Sequence, residues 1–135
     1  MLGQIHHIAI LCSNYARSKA FYTGLGFEIL AENWRDHNQS WKCDLRQGHA
    51  QIELFCFPDS PPRPSRPEAC GLRHLAFAVD SVAGTVAWLA ARGVETEPVR
   101  TDPYTGCAFT FFADPDGLPI EIYEAADPSK KAGSG

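Results

Sequence analysis

The chain has 135 residues, 44% of them hydrophobic and 21% charged, with a net charge of −4. That balance is ordinary for a globular chain and excludes collagen-like and disordered classes, and no apolar run approaches the roughly 18 residues that span a bilayer. No stripe of Lys and Arg offers an electrostatic footprint for nucleic acid or an anionic membrane, so the expected partner is a small molecule.

Residues 1–12 lack the basic start and small-residue cleavage site of a secretory signal, so a cytoplasmic location is expected. The five cysteines are odd in number and scattered without a C-x-x-C pair, which predicts reduced thiols used for packing.

In chain order, residues 5–12 form an apolar run of strand length, and Ser13-Asn14 offers an N-cap before a helix over residues 15–22. Three strand-like runs follow, over residues 27–33, 40–45 and 50–57, the last two joined by Arg46-Gln47-Gly48-His49, whose composition suits a hairpin. Residues 58–71 contain Pro58, Pro61, Pro62, Pro64 and Pro67, which deny the backbone both ladder and helix bonds and predict a stiff, extended linker.

The same order then recurs. A strand is expected over residues 72–79, an N-cap at Asp80-Ser81, and a helix over residues 82–92 with Val82, Val86 and Leu89 on one face and Gly93 as its stop. Strands over residues 94–100, 107–113 and 119–123 follow, the last two joined by Asp114-Pro115-Asp116-Gly117. Residues 127–135 bury nothing and are expected to fray.

This recurrence is an internal repeat. Ile5-His6-His7-Ile8-Ala9-Ile10 aligns with Leu72-Arg73-His74-Leu75-Ala76-Phe77, and Gln51-Ile52-Glu53-Leu54-Phe55 aligns with Pro119-Ile120-Glu121-Ile122-Tyr123. A half of about 60 residues is marginal alone, so the two must share a core. The predicted fold is α+β: two tandem βαβββ modules forming curved mixed sheets around a metal cavity. The expected organisation is a single domain over 2–126, made of modules 2–57 and 72–126 joined by the linker 58–71.

Strand alternation predicts which side chains share a face. Ile8 and Ile10 should pack beneath the first helix, which turns His7 to the opposite, concave face, with His6 its serious competitor. By the same parity Glu53, His74 and Glu121 lie opposite Ile52/Leu54, Leu75/Phe77 and Ile120/Ile122. A carboxylate buried unpaired is costly, and two imidazoles with two carboxylates neutralise and satisfy one divalent cation. Any one such residue is more often solvated or hydrogen-bonded than a ligand, but that reading must place His and Glu at matched positions in both repeats by accident. His7, Glu53, His74 and Glu121 are therefore the candidate metal ligands, whereas His37 and His49 lack such partners and are read as surface or packing residues.

At these residues the chain resembles the vicinal oxygen chelate superfamily of glyoxalase I, fosfomycin-resistance transferases, extradiol dioxygenases and bleomycin-resistance proteins. The motifs carrying the resemblance are His7-Ile8-Ala9-Ile10, Arg17-Ser18-Lys19-Ala20-Phe21-Tyr22 leading to Leu25-Gly26-Phe27, Ile52-Glu53-Leu54, Arg73-His74-Leu75-Ala76-Phe77, and Asp114-Pro115-Asp116-Gly117 before Ile120-Glu121-Ile122. Singly weak, in this order and spacing they are specific. The run through Ser40-Trp41-Lys42 and residues 63–74 is similar to the bacterial YaeR-type branch.

The resemblance implies a metal-dependent lyase or isomerase of the glyoxalase I type, because a His, Glu, His, Glu quartet is the glyoxalase I pattern. The metal would be Ni2+, Zn2+, Co2+ or Mn2+, and would stabilise an enediolate of an α-hydroxycarbonyl or hemithioacetal substrate. By position Glu121 would be the general base, while Glu53 would hold the metal and assist reprotonation. Leu11 and Phe57 stand where bacterial glyoxalase I has an arginine and an asparagine that contact glutathione, which argues against lactoylglutathione as the product.

Two alternatives on the same scaffold use the residues differently: a ring-cleaving dioxygenase (with Fe2+) or fosfomycin-type thiol transferase, in which Glu53 would be a bystander, and a non-catalytic small-molecule binding or resistance protein. The resemblance also implies a homodimer, in which His7 and Glu53 of one chain could share a metal with His74 and Glu121 of another.

Overall fold

A computed structural model of the chain describes residues 1–125; the expected frayed tail, 127–135, lies outside the described residues. The chain divides into two compact units, Met1–Arg63 and Pro64–Gly135, the division falling within the proline-rich linker.

The first unit runs β1 (Ile8–Leu11), α1 (Tyr15–Gly24), β2 (Glu28–Arg35), β3 (Ser40–Gln47) and β4 (Ala50–Cys56), with a 3-10 turn at Asp36–Asn38. Its four-stranded sheet has the order β1-β4-β3-β2, with β1 parallel to β4 and the other pairs antiparallel. The second unit repeats the plan with β5 (Leu75–Val79), α2 (Val82–Ala90), β6 (Arg100–Thr101), β7 (Ala108–Ala113) and β8 (Pro119–Glu124), in the order β5-β8-β7-β6. Both units are the βαβββ module expected from the repeat, and the fold is α+β.

Both helices start where a side chain satisfies an otherwise unpaired backbone donor. Asn14 Oδ1 accepts from Arg17 N at 3.0 Å, and Ser81 Oγ accepts from Gly84 N at 3.0 Å. Glu124, at the end of β8, adds a second acceptor for α2 by taking Val82 N at 2.9 Å. Among the described residues no helix is long and apolar enough to cross a membrane.

Each core lies on one side of its sheet. Ile10, Tyr22, Leu45, Ile52 and Leu54 are buried in the first unit, and Leu75, Val82, Leu89, Ile120 and Ile122 in the second. Because alternate residues of β4 and β8 fill these cores, the residues between them, Glu53 and Glu121, project from the other face. All five cysteines are free, and Cys12 and Cys43 pack in the interior.

Three strands are shorter than the sequence predicts, each for a local reason. β1 begins at Ile8 and cannot reach residue 5, because in its register with β4 the first residue of that strand, Ala50, would stand opposite His6 and leave Ile5 nothing to pair with. β5 begins at Leu75 rather than residue 72 because the residue preceding its first partner is Pro119, which has no N–H to give. The strand expected over residues 94–100 contracts to Arg100–Thr101 because Pro98 breaks the ladder; the chain before it keeps one bond to β7, from Glu97 N to Phe111 O at 2.9 Å.

Candidate metal-binding pairs

In the first unit Glu53 occupies the middle of β4, directly across from Ala9 of β1 and Asp44 of β3. His7 stands two residues before Ala9, on the same face, and the short alanine leaves room for the imidazole to reach the carboxylate. His7 Nε2 lies 3.4 Å from Glu53 Oε2. Glu53 itself is only 9% exposed, so its charge is held largely away from water.

The other side of this carboxylate faces a cation. Lys42 Nζ is 3.7 Å from Glu53 Oε1 and 3.0 Å from Asp44 Oδ1. The ion pair with Asp44, helped by Glu53, holds the Lys42 ammonium charged above its ordinary range. His6 is exposed, and its Nδ1 lies 2.8 Å from His7 Nδ1, one ring donating to the other. His6 is thus not a stand-in for His7 but its neighbour, occupying the nitrogen that His7 does not present to Glu53.

The second unit repeats the pair in different surroundings. Glu121 lies across from Ala76 of β5 and Phe111 of β7, and His74 Nε2 is 3.3 Å from Glu121 Oε1. The position that Asp44 holds in the first unit is Phe111 here, with the His74 ring edge-on to it at 5.0 Å between centroids. The cation acting on Glu121 is Arg73, whose guanidinium is itself paired to Glu68, Nε to Oε1 at 2.6 Å. Two residues along β8, the Tyr123 hydroxyl meets Thr105 and donates to Asp102 Oδ2 at 3.0 Å.

The donor chemistry of the pairs fits a divalent metal. Two ligand atoms about 2.1 Å from one ion, at octahedral or tetrahedral angles, stand about 3.0–3.4 Å apart. The two His–Glu separations lie in or beside that range, and each sets an imidazole nitrogen beside a carboxylate oxygen. Each unit brings together one such pair, and among the described residues no three His, Cys, Asp or Glu side chains cluster.

His7, Glu53, His74 and Glu121 all stand on the face that strand parity assigns them. Reading the sequence did not single out Lys42 and Asp44, although a signal was present. β3 and β4 are joined by a two-residue turn, Gly48-His49, that pairs Gln47 with Ala50, and the same register puts Asp44 opposite Glu53.

The match to known proteins runs the length of both units. The family model described as the Glyoxalase/Bleomycin resistance protein/Dioxygenase superfamily matches residues 4–122. YaeR of Escherichia coli (strain K12) is 58% identical over 128 residues, covering 92% of this chain and 99% of its own. The crystal structure of a glyoxalase family protein from Enterococcus faecalis is 51% identical with a TM-score of 0.86, covering 90% of this chain and 97% of that one. At the level of fold alone, a mutant of the fosfomycin resistance protein FosX from Listeria monocytogenes, solved with Mn(II), matches at 19% identity and a TM-score of 0.73 over 98% of this chain and 99% of that one. With the family pattern spanning both modules and relatives of this identity covering nearly the whole chain, the protein belongs to the glyoxalase/bleomycin resistance/dioxygenase superfamily.

Proposed function

We propose that His7, Glu53, His74 and Glu121 hold one divalent metal ion, and that the protein is a lyase or isomerase of the glyoxalase I type acting on a small oxygenated substrate. The observation carrying this reading is the pair of equivalent His–Glu contacts, at 3.4 and 3.3 Å, on the face of each sheet opposite its core. One pair supplies two ligands, and a catalytic ion needs more than two protein ligands to stay bound while keeping positions open. The second pair comes from the other module of the same chain or, in a homodimer, of a second copy, and such an assembly has two sites.

When bound, Ni2+, Zn2+, Co2+ or Mn2+ would polarise two vicinal substrate oxygens and stabilise the negative charge of an enediolate. The chain's own residues divide the remaining work. Glu53 sits between His7 and the Lys42 ammonium, which fixes its position, as a ligand's should be. Glu121 has a phenyl ring where Glu53 has Asp44, and Arg73, the cation acting on it, is committed to Glu68, so its carboxylate is the one freer to leave a ligand position and take a proton. Glu121 Oε would remove the proton from the carbon next to the carbonyl and return it to the neighbouring carbon. The apolar side chains Leu11 and Phe57 remain an argument against a glutathione tripeptide.

Elemental analysis of protein purified without chelators should find a divalent metal at about one ion per chain. With that metal bound, deuterium from solvent should enter an α-hydroxycarbonyl such as dihydroxyacetone, followed by proton NMR. Glu121→Gln should lower exchange by a factor on the order of 10² to 10⁴. Metal-free protein, or metal-loaded protein that exchanges no tested α-hydroxycarbonyl or hemithioacetal, would overturn the reading. Undiminished activity in Glu53→Gln would turn it toward the dioxygenase or thiol-transferase alternative.

A further inference from the structure

The sheet face carrying His7 and Glu53 also carries Arg35, and we propose that Arg35 is a substrate-binding residue for an oxyanion. The substrate would then have a carboxylate or phosphoryl group a few atoms from its vicinal oxygens. This rests on the reading that those oxygens bind at the metal held by His7 and Glu53, and it adds a second recognition point to that site.

Arg35 ends β2, with the same parity as Asn33, which pairs with Lys42; Lys42 in turn pairs with Phe55. Its guanidinium lies over two aromatic rings, 4.9 Å from the centroid of Phe55 and 5.4 Å from that of Phe57, and these rings are themselves stacked. Nε donates to Ser40 Oγ at 3.0 Å, and the fully buried Ser40 hydroxyl donates onward to Asn38 Oδ1 at 2.5 Å. One edge of the guanidinium is therefore fixed and its plane is set by the rings. The terminal nitrogens have no acceptor among the described residues, and no carboxylate there pairs with the charge.

The second unit shows what a satisfied version looks like. Arg100 of β6 lies over Phe109 and Phe111 of the adjoining strand at 5.1 and 5.5 Å, rings that meet edge-on rather than stacked. There Glu97 Oε1 accepts from Arg100 Nη2 at 3.2 Å. Of two arginines that each lie over a pair of rings, one is neutralised by its own chain and the other is not. The carboxylates of Asp44 and Glu53, on the same face, are already engaged by Lys42. A half-buried, pre-oriented guanidinium with unmet donors matches a carboxylate or phosphoryl oxygen pair, which it binds through a planar fork.

Spacing sets the ligand's size. Phe55 is two residues beyond Glu53 on β4, about 7 Å along the strand. Leu11 pairs with Phe55 and, like Phe57, is apolar, so the tether between chelating head and anionic tail should be short and apolar.

Two hydroxamates test this, since each chelates a metal through vicinal oxygens: the half-hydroxamate of succinic acid, which ends in a carboxylate, and butyrohydroxamate, which ends in a methyl group. Calorimetric titration of metal-loaded protein should give the carboxylate form about tenfold tighter binding or more, the scale of a charge-assisted bidentate contact. That preference should vanish in Arg35→Met, which keeps a flexible apolar stem over the rings, and shrink in Arg35→Lys, which keeps the charge without the fork. Equal binding of both compounds, or an unchanged preference in both variants, overturns the oxyanion site and leaves the metal reading standing. If neither compound binds metal-loaded protein, the metal reading fails and metal-free protein decides the role of Arg35. Titrated with succinate or methylphosphonate there, a saturable shift of the Arg35 Nε–H resonance in nitrogen-15 NMR supports the oxyanion site, and its absence overturns it.

Discussion

Replacing Lys42 with methionine separates the two roles of the Glu53 environment, because it should move metal affinity and metal-free stability in opposite directions. At 3.7 Å from Glu53 Oε1 and an effective dielectric of about 20, the attraction is about 4 kcal/mol before desolvation. The Lys42 side chain is 27% exposed and shared with Asp44, so the net loss on substitution is smaller, about 1–2 kcal/mol. In EDTA the variant should melt about 3–6 °C below the natural protein. The ammonium also opposes a dication at Glu53 and must be overcome when the metal enters. Its removal should tighten metal binding about tenfold, read by competition against a chromophoric chelator, with a smaller difference at high salt. Metal affinity unchanged or weakened in Lys42→Met would refute the view that His7 and Glu53 share a metal, since an ammonium at 3.7 Å cannot be indifferent to a dication on the same carboxylate.

His6→Phe removes the partner of His7 Nδ1 and should weaken metal binding by about 10- to 100-fold with little change in melting temperature, measured by the same competition. Leu54→Ala opens a cavity at a fully buried position of β4 and should cost about 2–5 kcal/mol in urea unfolding. Lys19 and the Tyr15 hydroxyl hold the Glu32 carboxyl below its ordinary 4.5. A depressed folded value adds stability that is present above the unfolded value and lost as pH falls through the folded one. Melting temperature should therefore fall less steeply between about pH 5 and pH 3 in Glu32→Gln than in the natural protein, and parallel curves would discount the contact.

The fold was legible because its two halves repeat and its strands alternate. Parity needs only the core residues Ile52, Leu54, Ile120 and Ile122 to place Glu53 and Glu121 on the opposite face. What parity cannot supply is where a ladder stops, which depends on the partner strand and on local breakers: β4 has no residue to pair before Ala50, and Pro98 stands just ahead of β6. Nor does it supply cross-strand neighbours until the turn length is known. Read as four residues, the turn near Gly48 leaves the register of β3 open; as two residues, it brings Asp44 opposite Glu53 and Lys42 beside it. Arg35 escaped notice for the same reason, since its mount of Phe55, Phe57 and Ser40 comes from two other strands.

The repeat supplies ligands in matched pairs, but chemistry that treats two neighbouring carbons differently needs the two glutamates to differ. The divergence lies on the adjoining strand, where Lys42 and Asp44 of β3 correspond to Phe109 and Phe111 of β7. The Lys42 ammonium holds the Glu53 carboxylate in place, whereas Glu121 faces a ring on the adjoining strand and Arg73, the cation acting on it, is committed to Glu68. If this difference divides the roles, giving the first unit the second unit's neighbours should weaken the division. In Lys42→Phe/Asp44→Phe, Glu53 acquires the surroundings of Glu121 and should gain competence as a base. Adding Glu121→Gln to that background should then leave more solvent-proton exchange than Glu121→Gln alone, by about tenfold. Metal content, measured in parallel, must stay equal in the two proteins for the comparison to hold. Equal residual exchange at equal metal content would show that the roles are set by something other than these strand neighbours, and would remove the structural reason for assigning the base to Glu121.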